Sequence, residues 1–189
     1  MKVYIASNFA DKDRVKARGI ELAAMGIECT SRWALETAPH NCKITDKPAQ
    51  YMRETAVFDV QDILAADKVI LTVPSPEQLV NLTPHQMSRG GRTFESGLMY
   101  GLILAQYLAI GGKAYQDFAT KFRGCSSELI VMGEKENVFH FLDGTETAAN
   151  LPVVVVIPTW EGVKEYLASQ LTNSGESNVE QQRVDSANV

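Results

Sequence analysis

Arg89-Gly90-Gly91-Arg92-Thr93-Phe94-Glu95-Ser96-Gly97 puts a glycine pair, two arginines and one carboxylate at the head of a helix-compatible run, Glu95 to Gln106. Just upstream, Lys68-Val69-Ile70-Leu71-Thr72-Val73 is apolar and β-branched and is stopped by Pro74, the composition of a buried parallel strand. Strand, glycine-rich loop and helix, in that order, mark the place where open α/β sheets bind ligands, outside the carboxyl ends of their strands. The spacing predicts Glu95 in the first turn of the helix. There, unpaired backbone N–H groups and the macrodipole favour an ionised carboxylate by about 0.3–1 kcal/mol. The residues alone leave two readings open: an anionic glutamate suited to nucleophilic attack, or a helix-terminal charge with no further role.

Outward from this segment the chain alternates strands and helices. Val3 to Ala6 reads as a first strand, followed by Ser7-Asn8-Phe9 at its carboxyl end. Asp11 or Asp13 is placed to cap a helix running to about Met25, with Val15, Ile20, Leu22 and Ala23 on its buried face and Gly26 as its stop. Ile27 to Arg32 reads as a second strand finishing at Trp33, and residues 34–48 as a loop or lid holding Pro39 and Pro48. A helix is predicted over 49–65, the third strand over 68–73, and a second long loop over 74–91. After the Glu95 helix come an excursion at 111–126, a fourth strand at 128–132, a short apolar stretch at 137–142, a fifth strand at 153–157 and a closing helix at 161–171. This order predicts an α/β fold: one three-layer sandwich around a five-stranded parallel sheet, flavodoxin- or Rossmann-like, over residues 1–171. Residues 172–189 mix Ser, Asn, Gln, Glu and Val without period and read as a disordered tail.

Composition narrows the function classes. At 189 residues the chain suits one domain with a single core. A net charge of −5, with no lysine or arginine stripe along any helix, argues against nucleic acid as a partner. No apolar run reaches the ~18 residues of a membrane span, and a strand begins at once, so neither a membrane partner nor a signal peptide is expected. Cys29, Cys42 and Cys125 are odd in number and widely spaced, as reduced thiols of a cytoplasmic protein are. His40, His85 and His140 are too dispersed to form a metal site. The absence of a GxxxxGK[ST] pattern argues against phosphoryl transfer, and a first loop without glycines argues against dinucleotide binding.

Five segments, in this order and at this spacing, resemble the nucleoside 2-deoxyribosyltransferase family. They are Val3-Tyr4-Ile5-Ala6 with Ser7-Asn8-Phe9; Thr30-Ser31-Arg32-Trp33; Asp59-Val60-Gln61-Asp62-Ile63-Leu64-Ala65-Ala66-Asp67; Gly90 to Gly97; and Glu136-Asn137-Val138. The resemblance implies cleavage of the N-glycosidic bond of 2′-deoxynucleosides through a covalent deoxyribosyl–glutamate intermediate, with the sugar passed to another base or to water. It implies no cofactor, a small-molecule deoxynucleoside or deoxynucleotide and a nucleobase as partners, and a homo-oligomer with Asn137 near a subunit interface. By position in the motifs, Glu95 is the nucleophile, Asp59 the second carboxylate, and Tyr4 the hydroxyl that orients Glu95. Asp59 would position Glu95 or pass a proton to the departing base, or else be a solvated helix-face charge. Tyr4 has the alternative of a half-buried strand tyrosine. Asp67 reads as structural.

Ser7, Asn8, Phe9, Trp33, Arg89, Gly91, Arg92 and Asn137 complete the expected substrate-binding set. Trp33 would stack on a base or, equally, cap the core under a loop; Phe9 and Phe94 share that ambiguity. Asn137 would reach a sugar hydroxyl or be a turn residue. Arg89 and Arg92 depart from the family pattern. Arginines beside a helix N-terminus suit a phosphate, which keeps a deoxynucleoside 5′-monophosphate N-hydrolase as the alternative. Otherwise Arg92 pairs with Asp59 or Glu36 and shapes the loop. An NAD glycohydrolase and a non-catalytic nucleotide-binding module are the remaining readings. The first has no positive feature for nicotinamide, and a pure binder gains nothing from two carboxylates facing a sugar.

Overall fold

The computed structural model describes residues 1–35, 47–75, 77, 80, 90–109, 128–135 and 154–172. Strands β1 (Lys2–Ala6), β2 (Glu28–Cys29), β3 (Lys68–Thr72), β4 (Glu128–Met132) and β5 (Val154–Ile157) form one all-parallel sheet in the order β2-β1-β3-β4-β5. Helix α1 (Lys12–Ala24) follows β1, α2 (Ala49–Ala65) precedes β3, α3 (Gly90–Ala109) precedes β4, and α4 (160–172) follows β5. This is the expected α/β sandwich of flavodoxin- or Rossmann-like order. The chain steps from β1 outward to β2, then crosses back to β3 on the other side of β1. The strand order therefore reverses between β1 and β3, and in folds of this order ligands bind outside the carboxyl ends of the strands at such a switch point.

The sheet is buried on both faces, so its strands are runs of apolar residues and not alternations. Val3, Tyr4, Ile5 and Ala6 of β1, Val69, Ile70 and Leu71 of β3, and Leu129, Ile130 and Val131 of β4 all lie in the core. Helices α1 and α4 pack side by side, tied by Trp160 Nε1 donating to Glu21 at 2.9 Å, a Lys164–Glu21 ion pair at 2.7 Å, and Arg18 stacked on Trp160. Helices α2 and α3 contact one another and β1. At the amino ends of β3 and β4, the buried Lys68 pairs with Glu128 at 2.6 Å, and Tyr166 donates to the second Glu128 oxygen at 2.6 Å. Asp67 accepts the backbone N–H of Lys2 at 2.7 Å, the structural role expected of it. Gly133, with φ of +118°, ends β4 so close to Val73 that an added Cβ would lie 2.8 Å from the Val73 carbonyl oxygen. Only glycine fits there.

The sequence expectations for α2, β3, β4 and β5 agree with the structure to within a residue or so, but others do not. The second strand is two residues long, because Thr30 and Ser31 turn the chain with their side chains. Ser31 Oγ accepts the Ile5 N–H at 2.6 Å and donates to the Ile5 carbonyl, replacing a backbone partner along β1. Thr30 Oγ1 donates to the Asp62 carbonyl at 3.0 Å. Residues Arg32–Leu35, read as strand end and loop, form a 3₁₀ turn. In α1, Ile20 is 67% exposed and Ala23 is also exposed, so only Val15 and Leu22 of the expected face are core. Asp11 precedes α1 but makes no side-chain cap; its carboxylate accepts from Ser7 instead. The expected loop over 74–91 holds helical residues at 77, 80 and 90–91. The excursion at 111–126, the stretch at 137–142 and the tail beyond 172 lie outside the described residues.

Ser31 gives the first prediction. Ser31→Ala leaves the buried Ile5 N–H without its acceptor, which costs ~1–3 kcal/mol. Urea unfolding should show a lower midpoint at unchanged slope, and an unchanged midpoint would dismiss the edge-clamp role.

Candidate active site

The site is built where β1, α2 and α3 meet. Tyr4, the third residue of β1, is fully buried, and its hydroxyl donates to Glu95 Oε1 at 2.7 Å. Burial, and then the Glu95 charge, push the Tyr4 phenol far above its ordinary pKa, so it remains a donor at any working pH. Glu95 is half-buried on α3, and its second oxygen, Oε2, is buried and accepts no hydrogen bond from the described residues. One oxygen is therefore fixed and the other keeps its lone pairs. Asp59, half-buried on α2, lies close enough for its charge to be felt by both Tyr4 and Glu95.

These surroundings reverse one expectation. Helix α3 begins at Gly90, so Gly90 and Gly91 belong to its first turn and Glu95 to its second. The macrodipole falls off within the first turn and no longer decides the ionisation of Glu95. Burial does, raising its pKa to about 7; the Tyr4 hydrogen bond opposes the rise, Asp59 adds to it, and Arg92 opposes it. Glu95 is a poised carboxyl and not a permanently anionic one.

Arg92 does not stand at the surface. It occupies a core position on α3, in line with the buried Ser96, Met99 and Ile103, and is 4% exposed. Its Nη1 donates to the Thr72 carbonyl, the last of β3, at 2.8 Å. Thr72 is also approached from the other face of the sheet, where Arg18 Nη1 lies 3.4 Å from its hydroxyl. Neither Thr72 nor Arg18 stood out in the sequence; a threonine closing an apolar strand before a proline was the available signal.

The remaining expected site residues are distributed unevenly. Ser7, Asn8 and Phe9 do lie at the carboxyl end of β1. The Ser7 hydroxyl is spent on Asp11, and Asn8 Oδ1 accepts the Ala10 N–H, so both polar groups build the turn itself. Trp33 is buried, donates Nε1 to the Ile5 carbonyl at 3.1 Å, and packs near Phe9 with ring centroids 6.3 Å apart. That is the core-capping arrangement. Phe94, by contrast, is 61% exposed beside Glu95 in the sequence. Gly91 contributes backbone to the first turn of α3. Asp62, one turn after Asp59, is buried and engaged with Arg32 through Nε at 2.7 Å and the backbone N–H at 3.0 Å. This ion pair anchors the turn that carries Trp33 to α2. Arg89, Asn137 and Glu36 lie outside the described residues. Among the described residues no group of His, Cys, Asp and Glu could hold a metal ion, and no helix is long and apolar enough to cross a membrane.

The fold and site thus define an α/β protein with two neighbouring carboxyls and a tyrosine at a sheet switch point. No protein-family model and no curated protein matches the chain. Among solved structures, it is similar to the Clostridium botulinum CMP N-glycosidase BcmB, with 16% identity over 88% of this chain and 98% of that one, at a TM-score of 0.41.

The raised pKa of Glu95 has a consequence for stability. A carboxyl whose folded value exceeds its unfolded one binds its proton more tightly when folded. Its contribution is fully present below the unfolded value, near 4.5, and is lost as pH rises through about 7. Glu95→Gln keeps an acceptor for Tyr4 and has no charge to desolvate. The variant should be more stable than the wild type at pH 8, by on the order of 1–3 kcal/mol, with the gap closing near pH 4–5. Chemical denaturation across that range measures it, and a gap that widened at low pH would contradict the assignment.

Proposed function

We propose that the chain cleaves the N-glycosidic bond of a 2′-deoxynucleoside or its 5′-monophosphate through a covalent deoxyribosyl–Glu95 intermediate, passing the sugar to a second base or to water. One observation carries this reading: the buried Tyr4 hydroxyl fixes Glu95 Oε1 at 2.7 Å while Oε2, buried and without a hydrogen-bond partner among the described residues, is left to bond. The resemblance of the motifs around Tyr4, Asp59 and Glu95 supplies the substrate class. Such a bond breaks through an oxocarbenium-like state, and a carboxylate held near the anomeric carbon stabilises the developing positive charge before it forms the ester. A low-dielectric setting strengthens that attraction.

Asp59 completes the pair. A second carboxyl beside the nucleophile suits proton transfer to the departing base nitrogen, and later from the acceptor. Phe94, exposed one residue before the nucleophile, is positioned to offer an apolar face to sugar or base. The order of preference between transfer and hydrolysis follows the motifs: transferase first, 5′-monophosphate N-hydrolase second. The phosphate role of Arg92 loses ground, because a buried guanidinium bonded to a backbone carbonyl is committed to the protein.

Incubation with each deoxynucleoside and its monophosphate, with and without an acceptor base, separates base exchange, base release and simple retention. Glu95→Ala should lose at least ~10³ in turnover while still binding substrate; near wild-type turnover would end the proposal. Glu95 attacks as the carboxylate, so kcat/KM should fall as pH drops below about 7. Tyr4→Phe removes a hydrogen bond that lowers the Glu95 pKa, and should move that acid limb upward by ~1 unit. A limb that stayed in place or moved down would show that Tyr4 does not bond the ionised nucleophile.

A further inference from the structure

We propose that Arg92 governs the second half of this reaction, acting as a positioning charge that draws the electron pair of the sugar ester back onto Glu95. The inference rests on the nucleophilic role of Glu95 proposed above. Its basis is placement. Arg92 precedes Glu95 by one turn of α3, sits in the helix's buried stripe among Ser96, Met99 and Ile103, and is pinned by Nη1 to the Thr72 carbonyl at 2.8 Å. A guanidinium so held cannot relax toward solvent as the charge of its neighbour changes. Among the described residues, the charged and titratable groups whose influence reaches Glu95 are Tyr4 from β1, Asp59 from α2 and Arg92 from its own helix. Arg92 is the cation of that set.

In the first half-reaction, Oε2 bonds to the anomeric carbon, and the base departs with the electron pair of the broken C–N bond and takes a proton from Asp59. Glu95 has then lost its negative charge and Arg92 faces a neutral ester. In the second half, a lone pair of the acceptor, a water oxygen or a base nitrogen, bonds to the same carbon. The acceptor's proton passes to Asp59, and the pair of the C–Oε2 bond returns to Glu95. Negative charge therefore develops beside a fixed, poorly solvated cation, which stabilises that transition state. The same cation makes Glu95 a weaker nucleophile in the first half. Its net effect is to prevent the intermediate from accumulating.

Pre-steady-state base release and intact mass of the quenched protein test this on the full chain, comparing wild type with Arg92→Gln, Arg92→Met and Arg92→Lys. The two neutral variants should lose ~10–100-fold in kcat, with kcat/KM above pH 8 changed by less than about threefold. They should also show a burst of base equal to the enzyme concentration and an added deoxyribosyl mass. Their acid limb should move upward, and Arg92→Lys should recover most of the turnover. Equal losses in kcat and kcat/KM without a burst, or an unmoved limb, would overturn the proposal. So would failure of both neutral variants to fold, which would make Arg92 a structural pin. A wild-type chain that releases no base from any substrate would sink the Glu95 reading as well; a wild type that turns over beside a burst-free Arg92→Gln sinks this inference alone.

Discussion

The hydrogen bond from Tyr4 to Glu95 joins a buried interior strand of the sheet to the helix that carries Glu95, and the geometry of the site depends on it. Tyr4 cannot move, because β1 is paired on both sides, with β2 and with β3, and is sealed by the core. The bond transmits that rigidity to Glu95. Without it, a half-buried carboxyl on a helix surface would rotate toward water, where its charge is better solvated. The tyrosine hydroxyl replaces part of that lost hydration for one oxygen, and among the described residues the other has no hydrogen-bond partner. A carboxyl held in this way carries a standing cost to stability, since burial without full hydrogen bonding disfavours the charged form.

Three charges share this small volume, and their balance matters more than any one of them. Asp59 raises the energy of the Glu95 carboxylate, whereas Tyr4 and Arg92 lower it. The outcome is a carboxyl that titrates near neutrality, in keeping with the nucleophilic role proposed for it. A strongly anionic glutamate would leave easily but attack weakly; a fully desolvated one would remain protonated. The position of Arg92 inside the helix stripe places the protein's own positive charge within reach of Glu95.

Much of the scaffold was legible because period and composition agree there. The run Lys68 to Val73 is apolar on both faces and can only be a buried strand, and Ala49 to Ala65 lacks both glycine and proline. What escaped were places where side chains do the work of backbone, or polar residues occupy core positions. Ser31 and Thr30 end β2 early by bonding Ile5 and Asp62, and the chain's local pattern contains no trace of those distant partners. Gly90 and Gly91 read as a loop because each disfavours a helix by ~1 kcal/mol, yet packing of α3 against β1 and β3 outweighs that preference. Arg92 and Ser96 hid the first part of the buried stripe behind polar identities.

The same contrast separates the site residues. The resemblance of the motifs picks out Tyr4, Asp59 and Glu95, and the structure brings them together because three elements distant in the chain converge there. Arg92 has other surroundings than its sequence suggests: an arginine beside two glycines in an acidic chain points to an anion site at a helix N-terminus, as long as the helix is taken to begin after the glycines, whereas the structure buries it. Moving the helix start back to Gly90 rotates Arg92 into the core and Glu95 out of the first turn. A shift of one helical turn in a single boundary therefore exchanges the two roles. The carboxylate ceases to be held anionic by the helix end, and the arginine, taken for a substrate ligand, becomes the internal charge that opposes its neutralisation.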